Sequence, residues 1–201
     1  MNDKLDLLLG KLKLLEDELR VEIHAKEKQF SYTVKDGKVH FKASVSRAHH
    51  LLAKKLSSYW SDAKWSSYIT TPVILSCIIP MALMDFWATA YQFVCFPAYG
   101  IPKVRRGDYI VLDRHNLRYL NSIERLNCAY CGYVNGAIAY VQEIARRTEQ
   151  HWCPIKHAVR VKTMHSRYQH FLDYGDAEQY RKRIEEVRRD FEDLKSEKEA
   201  A

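Results

Sequence analysis

Cysteine and histidine residues in the second half of the chain have the spacing of metal ligands. Cys128 and Cys131 form a Cys-x-x-Cys pair, and a glycine follows the second thiol directly. Two thiolates at this spacing can grip one ion, and the glycine permits the tight turn that such a knuckle needs. Cys153 and His157 come later and are four residues apart, so they would share one face of a helix. These four residues predict a tetrahedral Cys3His metal site.

The ligand set favours zinc, because Cys3His is a common set in structural zinc sites, and iron is the alternative. His151 competes with His157 for the fourth position. The other readings are a redox dithiol, an iron–sulfur cluster or unligated buried thiols. The chain has five cysteines, an odd number that makes a poor disulfide framework and fits a reducing compartment. Cys77 and Cys95 lie in an apolar stretch and are interpreted as packing residues.

Two short motifs carry a resemblance to known metal proteins. Cys128-x-x-Cys131-Gly132-Tyr133 resembles the first knuckle of rubredoxins and zinc ribbons, and Trp152-Cys153-Pro154 resembles the start of their second knuckle. The resemblance implies a metal held by the three cysteines. It covers about a dozen residues, and the family's fourth cysteine is replaced here, with His157 the nearest candidate. The general character of the chain resembles bacterial membrane-associated proteins.

A few other polar residues could support acid–base chemistry. Asp113 and His115 follow a short run, 109–112, that is typical of a β-strand, and Glu124 lies just before the cysteine pair. The end of a strand is a common place for site residues. The competing interpretation is that these side chains form helix caps and surface ion pairs. The chain has no Gly-rich phosphate loop, no Gly-x-Ser-x-Gly and no His-Glu-x-x-His motif.

These candidate ligands follow a long apolar segment. Between residues 66 and 102 the only charged residue is Asp85, and the densest part is 72–96. A helix of that length reaches roughly 37 Å, enough to cross a hydrocarbon core of about 30 Å. Aromatic residues lie before and after it, as they do at membrane interfaces. We expect membrane insertion, and the alternative is a pair of buried helices in a soluble core.

The way in which the segment inserts is left open by its flanks and its proline. Basic residues lie on both sides, which favours both ends on the cytoplasmic side. Pro80 removes a helical hydrogen bond, and Asp85 would be costly in lipid unless it faces a partner. Both a re-entrant segment and a kinked single span fit. We expect a bacterial inner-membrane protein with the bulk of its chain on the cytoplasmic side.

Both ends of the chain carry heptad patterns. The first seam consists of Leu5, Leu8, Leu12, Leu15 and Leu19, and the second of Ala177, Tyr180, Ile184, Val187, Phe191 and Leu194. Each seam could pack on its own core, or the seams could pair with each other or with another subunit. Between them, alternation around Asp36-Gly37 predicts a β-hairpin over 29–43. Helices are expected over 44–59 and 137–147.

These patterns predict a mainly α fold with a small β-hairpin, terminal heptad helices, a membrane-inserted helix and a Cys3His knuckle. The expected segments are 1–28, 29–65, 66–102, 103–170 and 171–201. We expect a membrane-anchored zinc protein with a structural or interaction role, bound to a bilayer and forming a homo-oligomer or a complex with a protein partner. A metal-dependent enzyme or redox protein at the membrane is the first alternative. The net charge of +7 and the basic stretch 156–170 make nucleic-acid binding the second.

Overall fold

The protein is mainly helical, with a small antiparallel hairpin and one long apolar helix. A computed structural model describes residues 3–35, 38–56, 58, 61, 64–159 and 161–194. Helix accounts for 69% of the structure. The mainly α class and the small hairpin are confirmed.

The chain divides into two compact units, Met1–Ala63 with Asp113–Ala129, and Lys64–Leu112 with Tyr130–Ala201. We call them the N-terminal unit and the C-terminal unit. The first contains helix α1 (Asp3–Gln29), strands β1 (Tyr32–Lys35) and β2 (Lys38–Phe41), helix α2 (Ala43–Leu51) and a 3-10 turn at Arg114–Asn116. Helix α5 (Ser122–Trp152) begins in it.

The hairpin has the register that its alternating pattern predicts. Tyr32 pairs with Phe41 and Val34 with Val39. The rings of Tyr32 and Phe41 lie 5.7 Å apart on one face. The turn predicted at Asp36-Gly37 falls outside the described residues.

Helix α2 is shorter than the predicted helix over 44–59. It ends at Leu51, residues 53–55 are not helical, and Leu56 and Ser58 are helical again. None of its residues is buried. A short helix that buries no apolar face gains little from tertiary packing, so nothing offsets the entropy of extending it.

The C-terminal unit contains the apolar segment as helices α3 (Trp65–Ser76) and α4 (Ile78–Tyr99). The run breaks at Cys77, one turn before Pro80. Proline lacks the N–H that would bond to the Ser76 carbonyl and its ring crowds that carbonyl, so the break falls upstream of the proline itself. Cys77 keeps helical dihedrals, φ −62° and ψ −14°, so the chain does not reverse there.

Helix α4 ends in a Schellman motif. Gly100 adopts a left-handed conformation with φ 69°, and the Ile101 N–H donates to the Phe96 carbonyl at 2.9 Å. The motif turns the chain so that residues 101–112 run back along α4, and we call them the return segment. Phe96, Ile101 and Val104 form the core of the unit with residues of α5 and the C-terminal region: Tyr140, Ile144 and Phe191.

The C-terminal heptad packs on this same core. Helix α6 (Ala177–Val187) begins at a cap where the Asp176 side chain accepts from the Gln179 N–H. Val187 and Phe191 are each 3% exposed. The N-terminal seam differs, because Leu15 and Leu19 on α1 are more than half exposed. The side chains of Leu5, Leu8 and Leu12 lie outside the described residues.

Candidate functional site

The predicted metal knuckle is replaced by helix. Cys128 and Cys131 lie in the interior of α5, and the helix continues through Gly132 to Trp152. Cys153 follows directly after its end. At 1.5 Å per residue, Cys131 and Cys153 are roughly 33 Å apart along the helix. Zinc holds thiolate sulfurs at about 2.3 Å, so these thiols cannot share one ion in this conformation.

Two glycines of α5 serve a close backbone contact rather than a turn, so the helix continues through them. Gly132 and Gly136 are one turn apart and face the return segment. A Cβ on Gly136 would lie 2.6 Å from the Tyr109 carbonyl oxygen, and one on Gly132 would lie 3.3 Å from the Val111 carbonyl oxygen. The glycines let two backbones approach closely, as small residues do at tight helix contacts. The Gly-x-x-x-Gly spacing was a signal for this contact that the knuckle interpretation missed.

The expected second half of the metal site has other contacts. No helix begins at Pro154. Instead its carbonyl accepts from the Leu172 N–H at 2.8 Å. The exposed His157 stacks on Tyr168, whose hydroxyl accepts from the His157 N–H at 2.7 Å. The His151 ring lies among the Tyr99 and Trp152 rings. In the part of the chain that the structure describes, no three His, Cys, Asp or Glu side chains are grouped to hold a metal ion.

The three acid–base candidates lie in the N-terminal unit, and none follows a strand. The run 109–112 is irregular, and His115 is exposed in a 3-10 turn. Asp113 lines a shallow cavity of about 220 Å³ beside the hairpin. Glu124 completes a capping box at the start of α5. Its carboxylate accepts from the Asn121 N–H at 2.8 Å, while the Asn121 side chain accepts from the Glu124 N–H at 2.9 Å.

The structure instead builds a polar cluster on the inner face of α4, the face that carries Asp85, Gln92 and Phe96. Asp85 is 6% exposed. Arg106 of the return segment donates to it through Nη2 at 2.7 Å and through Nε at 3.1 Å, a bidentate geometry. The Tyr133 hydroxyl of α5 donates to the same carboxylate at 3.0 Å. The single charge of the apolar segment is therefore neutralised within its own unit.

Electrostatics follow from this contact. The hydrogen bonds from Arg106 to Asp85 raise the pKa of the guanidinium above its ordinary value. Burial raises the pKa of the Tyr133 phenol, and its bond to the carboxylate raises it further. The cluster therefore keeps its protons throughout the neutral range: Arg106 stays charged, and Tyr133 stays a donor.

The cluster continues along α4 to the core. The Tyr140 hydroxyl lies 3.2 Å from the Thr89 hydroxyl and also bonds to the Gln92 amide. The Gln92 side chain then bonds both ways to the Val104 backbone, accepting from the N–H at 2.9 Å and donating to the carbonyl at 3.3 Å. The two hydrogen bonds from the Gln92 side chain satisfy the backbone N–H and C=O of Val104, as a neighbouring strand would do in a sheet.

The outer face of α4, opposite the polar cluster, is apolar and exposed. We use this name for the stripe formed by Ile79, Leu83, Phe86, Trp87 and Val94. These apolar side chains are all more than half exposed; Trp87, for example, is 67% exposed. Helix α3 buries none of its residues. The most apolar side of the long helix therefore points away from the protein, and its polar side chains point inward.

A second polar cluster fixes the C-terminal residues. Arg167 is 1% exposed. It donates to the Gln150 side chain at 2.5 Å and to the Asp190 carbonyl at 2.9 Å, and it also contacts the Asp193 carboxylate. Its guanidinium lies 5.2 Å from the Phe191 ring centroid. No sequence motif distinguishes Arg167 from the other residues of the basic stretch 156–170.

Part of the basic stretch 156–170 is paired inside the protein. Lys156 bonds to Asp173 at 2.7 Å, and His165 lies 3.2 Å from Glu149. Arg167 is committed to the cluster just described. Burial lowers the pKa of His165 below its ordinary value, and the Glu149 carboxylate opposes that shift without cancelling it. These pairings leave less free positive charge for a polyanion than the sequence suggested.

Comparison with protein-family models, with curated proteins and with solved structures finds no match to this chain.

Proposed function

We propose that this chain is a membrane-attached interaction protein, held to the bilayer by α3 and the outer face of α4. The observation that carries the proposal is the inverted arrangement of α4, with apolar side chains outside and Asp85, Thr89 and Gln92 turned inward. Polar residues of membrane-embedded helices face the protein interior in this way.

The extent of the apolar surface supports the same conclusion. The run Trp65–Tyr99 is long and apolar enough to cross a membrane by length and composition, and 6% of its most apolar window is buried. Monomeric soluble proteins rarely expose contiguous apolar patches of more than a few hundred Å². A lipid bilayer is an occupant that matches a patch of this length.

The side of the membrane is argued from charge. Lys54, Lys55 and Lys64 precede the apolar run, and Lys103, Arg105 and Arg106 follow it. Loops rich in lysine and arginine stay in the cytoplasm. Basic flanks at both ends support a bacterial inner-membrane protein whose bulk lies on the cytoplasmic side.

A protein partner is part of the proposal because of α1. Its described seam residues, Leu15 and Leu19, are 62% and 61% exposed. A helix with an apolar seam gains stability mainly by packing that seam on another helix. A second copy of the chain or another helical protein would cover it.

Zinc binding is not proposed, because α5 holds the pair of Cys128 and Cys131 roughly 33 Å from Cys153. An enzymatic role is not carried forward either. The polar cluster around Asp85 has its charges paired and its amide bonded to backbone, so its contacts are those of a fold-stabilising network. Nucleic-acid binding is not proposed, because Lys156 and Arg167 of the basic stretch are paired within the protein, which weakens its electrostatic support.

The test is a triple substitution on the outer face of α4: Leu83→Gln, Trp87→Gln and Val94→Gln. All three side chains are more than half exposed, so the fold should persist, as circular dichroism would show. The purified wild type should float with lipid vesicles in a density gradient, and the triple variant should stay at the bottom.

A matched control replaces three equally exposed apolar residues outside α3 and α4: Val159→Gln, Met164→Gln and Tyr174→Gln. This variant should float like the wild type. Wild-type protein that is monodisperse without detergent and does not float would overturn the proposal.

A further inference from the structure

Helix α5 runs beside the end of α3 and along most of the length of α4. The Tyr130 hydroxyl donates to the Ile74 carbonyl at 2.6 Å near one end, and Tyr133 reaches Asp85. At the other end the Tyr99 and His151 rings are 5.2 Å apart. The residue numbers rise together, so α4 and α5 are parallel and level with each other.

The return segment lies at the same level. Val104 bonds to Gln92, and Arg106 bonds to Asp85. Asp85 is only about 5 Å along the axis from the midpoint of α4. The Arg106 side chain, 48% exposed, therefore lies level with the middle of the apolar helix.

Because of these contacts, the depth of α4 in a bilayer also sets the depth of the charged side chains beside it. If α4 crossed a bilayer, Arg106 would lie near the midplane with half of its side chain uncovered. Arg146 on α5, whose side chain is 33% exposed, would enter with it. Exposed charges and irregular backbone such as the return segment are both disfavoured in hydrocarbon.

We propose that α4 lies along one leaflet of the membrane, parallel to its surface, with its outer face immersed and α5 above it. This inference rests on the proposed function and specifies how the attachment is made. In this orientation Leu83, Trp87 and Val94 reach the acyl chains. Arg106, Arg146 and the return segment remain on the aqueous side.

The rim of the stripe indicates which lipids it meets. The Lys103 ammonium lies 4.5 Å from the centroid of the Phe93 ring, and Phe93 is 70% exposed. An aromatic ring beside a lysine is typical of the headgroup level, where the ring is buried and the ammonium reaches phosphate. The exposed Arg105 is two residues away. The partner is therefore a bilayer that contains anionic headgroups.

The first experiment measures depth at two positions of the outer face. Ile79→Cys and Val94→Cys carry spin labels in a chain whose native cysteines are replaced by alanine, bound to vesicles of phosphatidylcholine and phosphatidylglycerol. Relaxation by oxygen and by a water-soluble nickel complex gives the depth of each label. We expect equal depths within a few Å. A transmembrane α4 would separate the labels by roughly 22 Å along the normal.

A second measurement needs no substitution. Polarised infrared spectra of the wild type on oriented bilayers report the direction of its helices. Because α4 and α5 are parallel and together comprise 53 of the 112 residues in helices α1 to α6, they contribute nearly half of the helical signal along one direction. We expect amide dichroism of helices lying in the membrane plane. Dichroism along the normal, or a 22 Å depth difference, would overturn this inference and leave membrane attachment intact. Failure of the wild type to bind vesicles would overturn both.

Charge is tested separately with Arg105→Gln. Partition onto vesicles with phosphatidylglycerol should fall about five-fold, and partition onto pure phosphatidylcholine should not change. Lys182→Gln, an exposed lysine on α6, is the control and should change neither. Equal losses on both vesicle types would contradict the headgroup contact.

Discussion

Arg167 shows how a single buried cation can hold the end of a chain. Its side chain joins Gln150 of α5 to the Asp190 carbonyl and the Asp193 carboxylate, and it stacks on Phe191 of the core. The Gln150 amide also donates to the Val187 carbonyl at 3.0 Å and to the Asp190 carbonyl at 2.5 Å. Removing the guanidinium leaves the buried side-chain oxygen of Gln150 without its donor, whereas the 43% exposed Asp193 side chain keeps access to water.

Arg167→Met should therefore lower the free energy of unfolding by about 2–3 kcal/mol, less than for a fully enclosed ion pair. Chemical denaturation in detergent micelles measures it. Arg189→Met is the control, because that side chain is 76% exposed and 3.6 Å from Glu185, and it should change stability by less than about 0.5 kcal/mol. Equal losses in the two variants would mean that the cluster is not formed.

At the residue scale, position 136 has no room for a side chain. A methyl group there would lie 2.6 Å from the Tyr109 carbonyl oxygen and 2.8 Å from the Ile110 Cα, and both are backbone atoms that cannot rotate away. Gly136→Ala should lower the free energy of unfolding by about 1–3 kcal/mol, as overpacking does. Thermal melts followed by circular dichroism measure the loss.

The control for Gly136 is Gly107→Ala, where an added Cβ meets no atom within 4 Å. This variant should melt close to the wild type. A wild-type melting temperature for Gly136→Ala would show that the return segment does not lie against α5.

At the scale of elements, the helical conformation of α5 is incompatible with the predicted metal knuckle. A Cys-x-x-Cys pair fits a knuckle, but residues three apart also share one face of a helix, so the spacing alone does not choose. The contact of Gly132 and Gly136 with the return segment favours helix. A capping box at Asn121 and Glu124 starts that helix six residues before Cys128 and stabilises it further.

We expect purified protein to contain far less than one zinc per chain by elemental analysis. Cys131→Ser should keep wild-type stability, because this exposed thiol supports no contact that α5 needs. One zinc per chain, lost together with stability in Cys131→Ser, would show that α5 unwinds to form the knuckle after all.

The apolar helix shows how much local pattern can predict. Composition alone locates the apolar helix in the sequence. Pro80 predicts an interruption of that helix, and the interruption lies one turn earlier, at Cys77. The partner of Asp85 was beyond such reasoning, because Arg106 reaches it only after the Schellman turn at Gly100 reverses the chain. The available signal was a lone acid in an apolar run followed by a basic group, and its geometry depends on tertiary packing.

At the scale of the whole molecule, acid should weaken the C-terminal unit. Burial lowers the pKa of both His151 and His165 below the ordinary value of 6.5. The folded state then binds fewer protons than the unfolded state. Their contribution to stability is fully present above about pH 6.5 and is lost as the pH falls through the lower folded-state pKa values.

The denaturation midpoint should accordingly be lower at pH 5.5 than at pH 7.5. His165→Gln should reduce this difference, and His50→Gln, on the exposed surface of α2, should leave it unchanged. A midpoint that does not vary between the two pH values would contradict the burial of these rings.

The chain order of the core has a consequence for synthesis. Helix α4 is complete at Tyr99, but Phe191, which closes the core beneath it, leaves the ribosome roughly 90 residues later. At about 5–20 residues per second this interval lasts about 5–20 s. Through roughly the first 40 residues of this interval, until Tyr140 has emerged, the polar side of α4 lacks its partners, and the core stays open until Phe191. A ribosome-bound targeting factor or chaperone that recognises apolar helices has time to engage α4. Delivery to the membrane would then precede folding of the C-terminal unit.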